Sequence, residues 1–350
     1  MNTEKKKRLL SKVAYARGSL SHLRTNASPR RDPIDGDILQ VLDPFAEDEG
    51  RILCSKAFRR LAQKTQVTSF PTNTYIRNRL VHTAEVKRTA EMITDILGLN
   101  TRLAGAIAWN HDIGHVPFGH QGEFFMKDRF GKTFTHEVMG VVVAQHIERK
   151  GKGTNLTFAT LDGGMRHSGD MATKSMTAEA WAVRYADKIA FLFADYNDFE
   201  RMGWPFRPEL KRLVDSFGAD QRERVFTAVA ELVAESKEKG RVSFSESPAA
   251  RDFDRIRTLM YEIYPRLTQQ DPRRILVPVC DFLDRLAIAP TDLMFALMTD
   301  RDMVYLSEVP MLNIDHLKQT SVYELLPIIT KKKVDIYAPD LDWGNVATRA

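Results

Sequence analysis

Apolar residues recur along most of this chain at intervals of three and four, the spacing of one helix face, whereas alternating runs of the strand type are few and short. An all-α protein is predicted. Between Arg79 and Leu97 the stripe is Val86, Ala90, Ile93 and Leu97, and four residues before Val86 the same face carries His82. A following helix from about Thr101 aligns Leu103 and Ile107 and, four residues further, His111, with Asp112 and the stop signal Gly114 behind it. A third helix, from near Thr177, aligns Ala180, Val183, Ala190 and Ala194 around one acid, Asp187. Val225, Val229 and Leu232 mark a fourth, and Phe253, Ile256, Met260 and Ile263 a fifth, with a polar break from Gly240 to Pro248 between them.

Proline and glycine divide this pattern. Pro29 and Pro33 interrupt the chain early, and Gly203-Trp204-Pro205-Phe206-Arg207-Pro208 interrupts it again. Three regions are expected: a basic N-terminal arm over residues 1–40, a core over 41–205, and a helical C-terminal region over 206–350 whose helices can dock on the core. There is no internal repeat and no low-complexity tract.

Charge adds less than it first suggests. The net charge is +5, but residues 1–31 hold nine Lys/Arg and one acid, so totals of 51 basic and 46 acidic residues leave 42 against 45 elsewhere. Such a segment signals solubility or subunit contacts more often than nucleic-acid binding, and Arg149-Lys150 and Lys331-Lys332-Lys333 read as solvated surface. Apolar residues at 43% and charged residues at 28% exclude collagen-like and largely disordered classes. No stretch reaches the roughly 18 uncharged apolar residues that span a bilayer, and the first residues lack an apolar signal core, so a cytoplasmic location and no membrane partner are expected. Cys54 and Cys280 are the only cysteines, too few for a disulfide framework or a thiolate zinc site.

Any metal must therefore use other ligands. For one inward-facing His or Asp, a buried residue satisfied by a neighbour is the simpler account. Four such residues weaken it, because burying Asp112 and Asp187 without compensation costs several kcal/mol each. A divalent cation held by His82, His111, Asp112 and Asp187 supplies the charge. Mixed imidazole and carboxylate ligation suits Mn, Fe, Co, Ni or Zn better than Mg or Ca. An ion of this kind activates water and polarises a phosphoryl oxygen, which makes hydrolysis of a phosphate ester the natural reaction. The stretch from His111 to Glu123 is dense in histidine and glycine, like a site loop, and His120 and Glu123 at a spacing of three form a pair suited to proton donation. His136 is balanced between a site role and a structural one. His22, His146, His167 and His316 lack such context and are read as structural or surface residues.

These residues resemble the metal set of the HD superfamily of phosphohydrolases. Ala57-Phe-Arg-Arg-Leu61, Lys64-Thr-Gln-Val67, Arg79-Leu-Val-His82 and the run from His111 to Glu123 are, more specifically, similar to the deoxynucleoside triphosphate triphosphohydrolases, which include the bacterial dGTPases. The similarity runs from about Asp43 to Asp198, and Met298-Thr-Asp-Arg301 resembles a further family segment. The resemblance implies an HD-domain helical core with an additional C-terminal helical lobe, and release of a deoxynucleoside and intact inorganic triphosphate from dGTP or several dNTPs. It implies His82, His111, Asp112 and Asp187 as metal ligands, with Mn the expected ion and Mg, Co, Fe, Ni or Zn as alternatives. His120, oriented by Glu123, would be the catalytic acid; His115 and His136 would face phosphates. Arg79 and Lys188 match phosphate-binding positions, and Gln66 and Asp195 match positions that hold the deoxyribose. Asp195 lies eight residues after Asp187, on nearly the same helical face. Departures from the pattern are Phe191 where a tyrosine is common, Ala62 for glutamine, and Ala194. A homo-oligomer, hexamer or tetramer, and a nucleotide activator are further implications.

Two other readings stand beside this one. The metal site could serve a nucleoside monophosphate or a phosphodiester, or the chain could be a nucleic-acid-binding or assembly protein with a vestigial site. Base preference depends on pocket walls drawn from distant parts of the chain, so it is not legible in the sequence.

Overall fold

The computed structural model describes residues 1–32, 43–69, 73–266 and 271–338. Among them the chain is all-α, with two isolated β-bridges, Arg30 to Thr157 and Thr65 to Asn78, and no sheet. The helices are α1 (Thr3–Ala16), α2 (Pro44–Leu53), α3 (Lys56–Arg60), α4 (Arg79–Leu97), α5 (Thr101–Asn110), α6 (Gly119–Phe130), α7 (His136–Val142) and α8 (Phe158–Met165). They continue as α9 (Ala178–Arg201), α10 (Pro208–Phe217), α11 (Gln221–Lys239), α12 (Pro248–Tyr261), α13 (Arg273–Leu286), α14 (Thr291–Leu297), α15 (Asp300–Glu308) and α16 (Leu326–Ile329). No helix among the described residues is long and apolar enough to cross a membrane.

The helices begin where local chemistry starts them. Asn78 accepts from the Val81 amide at the start of α4, Asn100 from the Arg102 and Leu103 amides at α5, and Thr177 from the Ala180 amide at α9. Gly98, at φ 79°, closes α4 in the left-handed conformation that glycine adopts most easily.

Two apolar clusters result. The first joins Val86 and Ile93 of α4, Leu103 and Ile107 of α5 and Val183 and Leu192 of α9, and Val229, Leu232, Phe253 and Ile256 of α11 and α12 complete it. The second gathers Ile113 and Val116, just after α5, with Met139 of α7 and with Leu283, Phe295, Met303 and Ile329 from α13 to α16. The C-terminal helices thus divide between the two clusters.

Residues 1–31, set apart in sequence by their charge, are packed against the rest. Leu9, Ala16 and Leu20 are buried, α1 lies on α11, and the Arg30 guanidinium pairs with buried Asp48 of α2. Pro33, the expected boundary at residue 40, and residues 339–350 of the expected C-terminal region lie outside the described residues.

Candidate active site

Three helices bring the four expected metal ligands together. α4 supplies His82, the C-terminal end of α5 supplies His111 and Asp112, and α9 supplies Asp187. His82 Nε2 lies 3.1 Å from Asp187 Oδ1 and 3.8 Å from Asp112 Oδ2, and His111 Nε2 lies 3.4 Å and 4.0 Å from Asp112 Oδ2 and Asp187 Oδ1. Donors bound at about 2.1 Å to one ion stand roughly 3.0–3.4 Å apart, so small shifts would close this set around a cation. The histidine chemistry fits as well. His111 Nδ1 lies 2.6 Å from the Ala108 carbonyl oxygen, an acceptor for its proton, so the neutral ring presents the Nε2 lone pair to the set; burial opposes a charge on this ring, while Asp112 raises its pKa. That Nε2 is buried and has no hydrogen-bond partner.

Arg79, one turn before His82, donates to Asp112 Oδ2 at 2.8 Å, to the Thr65 carbonyl at 3.2 Å and to the Gln66 carbonyl at 3.0 Å. Burial alone would raise the Asp112 carboxyl, but His111 and Arg79 hold it well below the usual range. Asp187 is treated alike: burial opposes ionisation, yet the hydrogen bond and charge of His82 bring its pKa to about 2.

Beyond Asp112 the chain turns through Gly114, where a Cβ would collide with the His136 carbonyl and the Gly140 amide of α7. Glycine here permits close backbone approach, which brings His136 toward Asp112, and is not the left-handed helix stop that the sequence suggests. The loop is pinned from a distance. The Lys64 ammonium, buried and lowered far from its ordinary pKa by that burial, donates to the His115 carbonyl. Asp300, the first residue of α15, accepts from the Thr65 and Phe118 amides, each at 2.8 Å. One carboxylate thereby fastens the segment before α4 to the segment before α6.

His115, His120 and His136 then face one cavity. Glu123 accepts from the His136 backbone amide at 3.2 Å and from its Nδ1 at 2.7 Å. The carboxylate expected to orient His120 is therefore engaged by His136, although His120, Glu123 and His136 all offer polar atoms within 4.8 Å of one another. Burial would lower His136, but Glu137 and Glu123 win and raise it to about 9. His115, desolvated and beside Arg79, is pushed well below its ordinary value; His120 is lowered by desolvation, against the pull of Glu123. Of these three, His136 is held cationic while His115 and His120 are held toward the neutral form.

The cavity, about 560 Å³, is of ligand size and is lined by Gln66, Arg79, His82, Asp112, His115, His120, Glu123, His136, Asp187, Lys188, Phe191 and Asp195. His111 stands behind it, its ring 5.5 Å from that of His82. Lys188 is lowered to about 8 by burial and by Arg184 and Arg257. Asp195 is committed to neighbours: the Arg77 guanidinium pairs with it and the Tyr264 hydroxyl donates to it at 2.8 Å.

Several lining residues escaped sequence reasoning. His167, read there as structural or surface, has Nδ1 2.7 Å from the Gly164 carbonyl and Nε2 3.4 Å from His136 Nε2 inside the cavity. A Cβ on Gly164 would collide with the Asn110 side chain, so close packing of α8 on α5 carries His167 inward. Adjacent glycines inside a helical pattern, Gly163 and Gly164, were the available signal. Tyr261 and Tyr264 add aromatic wall beside Phe191, and Glu137 sits beneath His136. His22, His146 and His316 are not among the lining residues.

Residues 79–192 match the HD domain family. The chain is 38% identical over 228 residues to a deoxyguanosinetriphosphate triphosphohydrolase-like protein of Desulfatibacillum aliphaticivorans, covering 62% of this chain and 65% of that one. It is 39% identical over 199 residues to one of Clostridium tetani, covering 55% and 57%, and 38% identical over 238 residues to one of Clostridium perfringens, covering 66% and 70%. For the first two of these, the match spans less than two thirds of the relative's length.

Proposed function

The chain belongs to the HD-domain family of deoxyguanosinetriphosphate triphosphohydrolase-like proteins, and from that premise we propose that it hydrolyses deoxynucleoside triphosphates to the deoxynucleoside and inorganic triphosphate. Membership supports a metal-dependent HD-type phosphohydrolase. The observation that carries the finer reading is the array of positive and neutral donors around the four-ligand set. Arg79, cationic His136 and Lys188 line the cavity that His82, Asp112 and Asp187 also line. A divalent ion, Mn in this reading, would polarise a phosphoryl oxygen and lower the pKa of bound water. Arg79, His136 and Lys188 neutralise a polyphosphate chain, and His115, kept neutral, offers a hydrogen bond without a further charge. Phosphate charge raises the depressed pKa of His120, so His120 can carry a proton to the departing sugar oxygen. Gln66 Oε1, buried without a hydrogen-bond partner, is open to a sugar hydroxyl, and Phe191, Tyr261 and Tyr264 wall the sugar or base.

The test offers the Mn-loaded protein each of the four dNTPs and resolves the phosphate products by ion chromatography. Free tripolyphosphate in equimolar amount with deoxynucleoside is expected. Pyrophosphate or orthophosphate as the sole inorganic product, or a preference for monophosphates or phosphodiesters, would overturn this cleavage site. A cytoplasmic homo-oligomer, hexamer or tetramer, belongs to the same reading, and light scattering reads its mass.

A further inference from the structure

Arg77 stands one step behind the cavity wall. It is not among the lining residues, and its side chain is 7% exposed, yet its guanidinium meets three carboxylates. Nε donates to Asp198 Oδ2 at 2.8 Å, one terminal nitrogen donates to Glu85 Oε2 at 2.7 Å, and the other pairs with Asp195 Oδ1. The two aspartates belong to α9 and Glu85 to α4, so one planar fork ties together the helices that carry Asp187 and His82. Glu85 in turn accepts from Gln221 of α11 at 3.1 Å.

The chain after Arg77 is built into the site. Asn78 bridges to Thr65, and the Arg79 amide donates to the Lys64 carbonyl at 3.0 Å, so the segment that carries Arg77 is paired with the one that leads to Gln66. Asp195 lines the cavity with Oδ1 engaged by Arg77 and Oδ2 accepting from the Tyr264 hydroxyl at 2.8 Å. Each carboxylate oxygen accepts two hydrogen bonds, so each keeps one lone pair. An ionised carboxylate only accepts, and a ligand group that meets it must bring a proton, as a sugar hydroxyl does. Burial pushes the Asp195 carboxyl up, and Arg77 is the largest pull against it.

We propose that Arg77 is a positioning residue for sugar recognition: by fixing Asp195 between itself and Tyr264, it makes the cavity select a substrate that carries a sugar 3′-hydroxyl. Lysine cannot take its place, because one ammonium does not meet three carboxylates as a planar fork does. The proposal rests on the nucleotide-hydrolase reading of this cavity.

The experiment compares each deoxynucleoside triphosphate with its 2′,3′-dideoxy counterpart on the Mn-loaded full chain, with metal content measured beside kcat/KM. The unaltered protein should prefer the deoxy substrate by about 10- to 100-fold, the range of one hydrogen bond to a charged group. Arg77→Lys should lose most of that preference through a raised KM on the deoxy substrate, while metal content and kcat/KM on the dideoxy substrate stay within about threefold. In an Asp195→Asn background, Arg77→Lys should cost less than about a further twofold, since both changes act on one contact. Asp198→Asn, which loosens the guanidinium and leaves Asp195 in place, should reduce the preference by about threefold or more, and it carries the test if Arg77→Lys does not fold. An equal loss on both substrates, an additive loss in the Asp195→Asn background, an undiminished preference in Asp198→Asn, or no preference in the unaltered protein would overturn the role of Arg77 and leave the hydrolase reading standing. No hydrolysis of either substrate by the unaltered protein would overturn both.

Discussion

Asp48 and Asp112 are both buried carboxylates beside an arginine, yet their surroundings differ in kind. Asp48 accepts from the Thr157 amide at 3.0 Å, the Thr157 hydroxyl at 2.6 Å and the Thr160 hydroxyl at 2.7 Å, and pairs with Arg30. The Arg30 guanidinium and the Thr157 amide can only donate, the two hydroxyls are turned to do so, and Asp48 is not among the residues that line the large cavity. Asp112 has one obligate donor, Arg79; its remaining neighbours are imidazoles, which present either a proton or a lone pair, and it lines the large cavity. Burial therefore marks both groups, and the partner type separates a carboxylate that holds the fold from one available to a ligand.

Substituting each carboxylate should separate the two roles. Asp112→Ala is expected to remove bound metal and to lower phosphohydrolase activity by about 10³-fold or more, since the ion supplies several kcal/mol of transition-state stabilisation. Its urea midpoint should move less than that of Asp48→Ala. Metal retained at wild-type stoichiometry in Asp112→Ala would break the comparison. Asp48→Ala, by contrast, strands Arg30 and two threonines, and should cost about 3–5 kcal/mol in urea unfolding. Metal content per folded chain should be unchanged, and a stability loss equal to that of Asp112→Ala would show that partner type does not separate them.

Within the cavity the next effect is smaller. His120→Ala should leave metal bound and slow turnover by about 100-fold, as loss of an acid catalyst does. Loss of metal in this variant would place His120 among the ligands instead.

What the sequence made legible follows the range of the interactions. The helix stripes locate His82, His111 and Asp187 because each sits a whole number of turns from apolar neighbours on its own helix, and the all-α class follows from the same periodicity. The partner of Glu123 was not legible. Spacing along α6 points to His120, whereas tertiary packing of α7 delivers His136, and the close approach at Gly114 that permits this lies outside any local pattern. His167 follows α8, past its last turn, so helical phase says nothing of its direction. Asp300 reaches across 182 residues to the Phe118 amide. This contact gives the segment Met298-Thr299-Asp300-Arg301 a physical reason to accompany the site, since α15 fixes the loop that carries His115 and leads into α6, where His120 lies. Asp300→Ala should accordingly lower kcat by about 10-fold through loosened geometry while metal stays bound, checked by steady-state kinetics beside metal analysis.

Glu235 of α11 extends the Asp48 pattern to a carboxylate held by serines and backbone amides, and it yields the smallest expected effect. It accepts from the Ser245 amide at 2.7 Å, the Ser247 amide at 3.0 Å and the Ser243 hydroxyl at 2.8 Å, tying the start of α12 to α11. Burial opposes its ionisation, but these donors prevail and bring its pKa to about 2 from an ordinary 4.5. A carboxylate depressed in the folded state contributes stability that is complete above its unfolded pKa and is lost as pH falls toward the folded one. The contribution should therefore fade between about pH 4.5 and 2. Glu235→Gln should lower the melting temperature at pH 7, and the gap from wild type should narrow through that acid window. A gap that stays constant with pH would mean that the amides grip the neutral side chain as well as the charged one, and that donors alone do not define the fold-holding class to which Asp48 belongs.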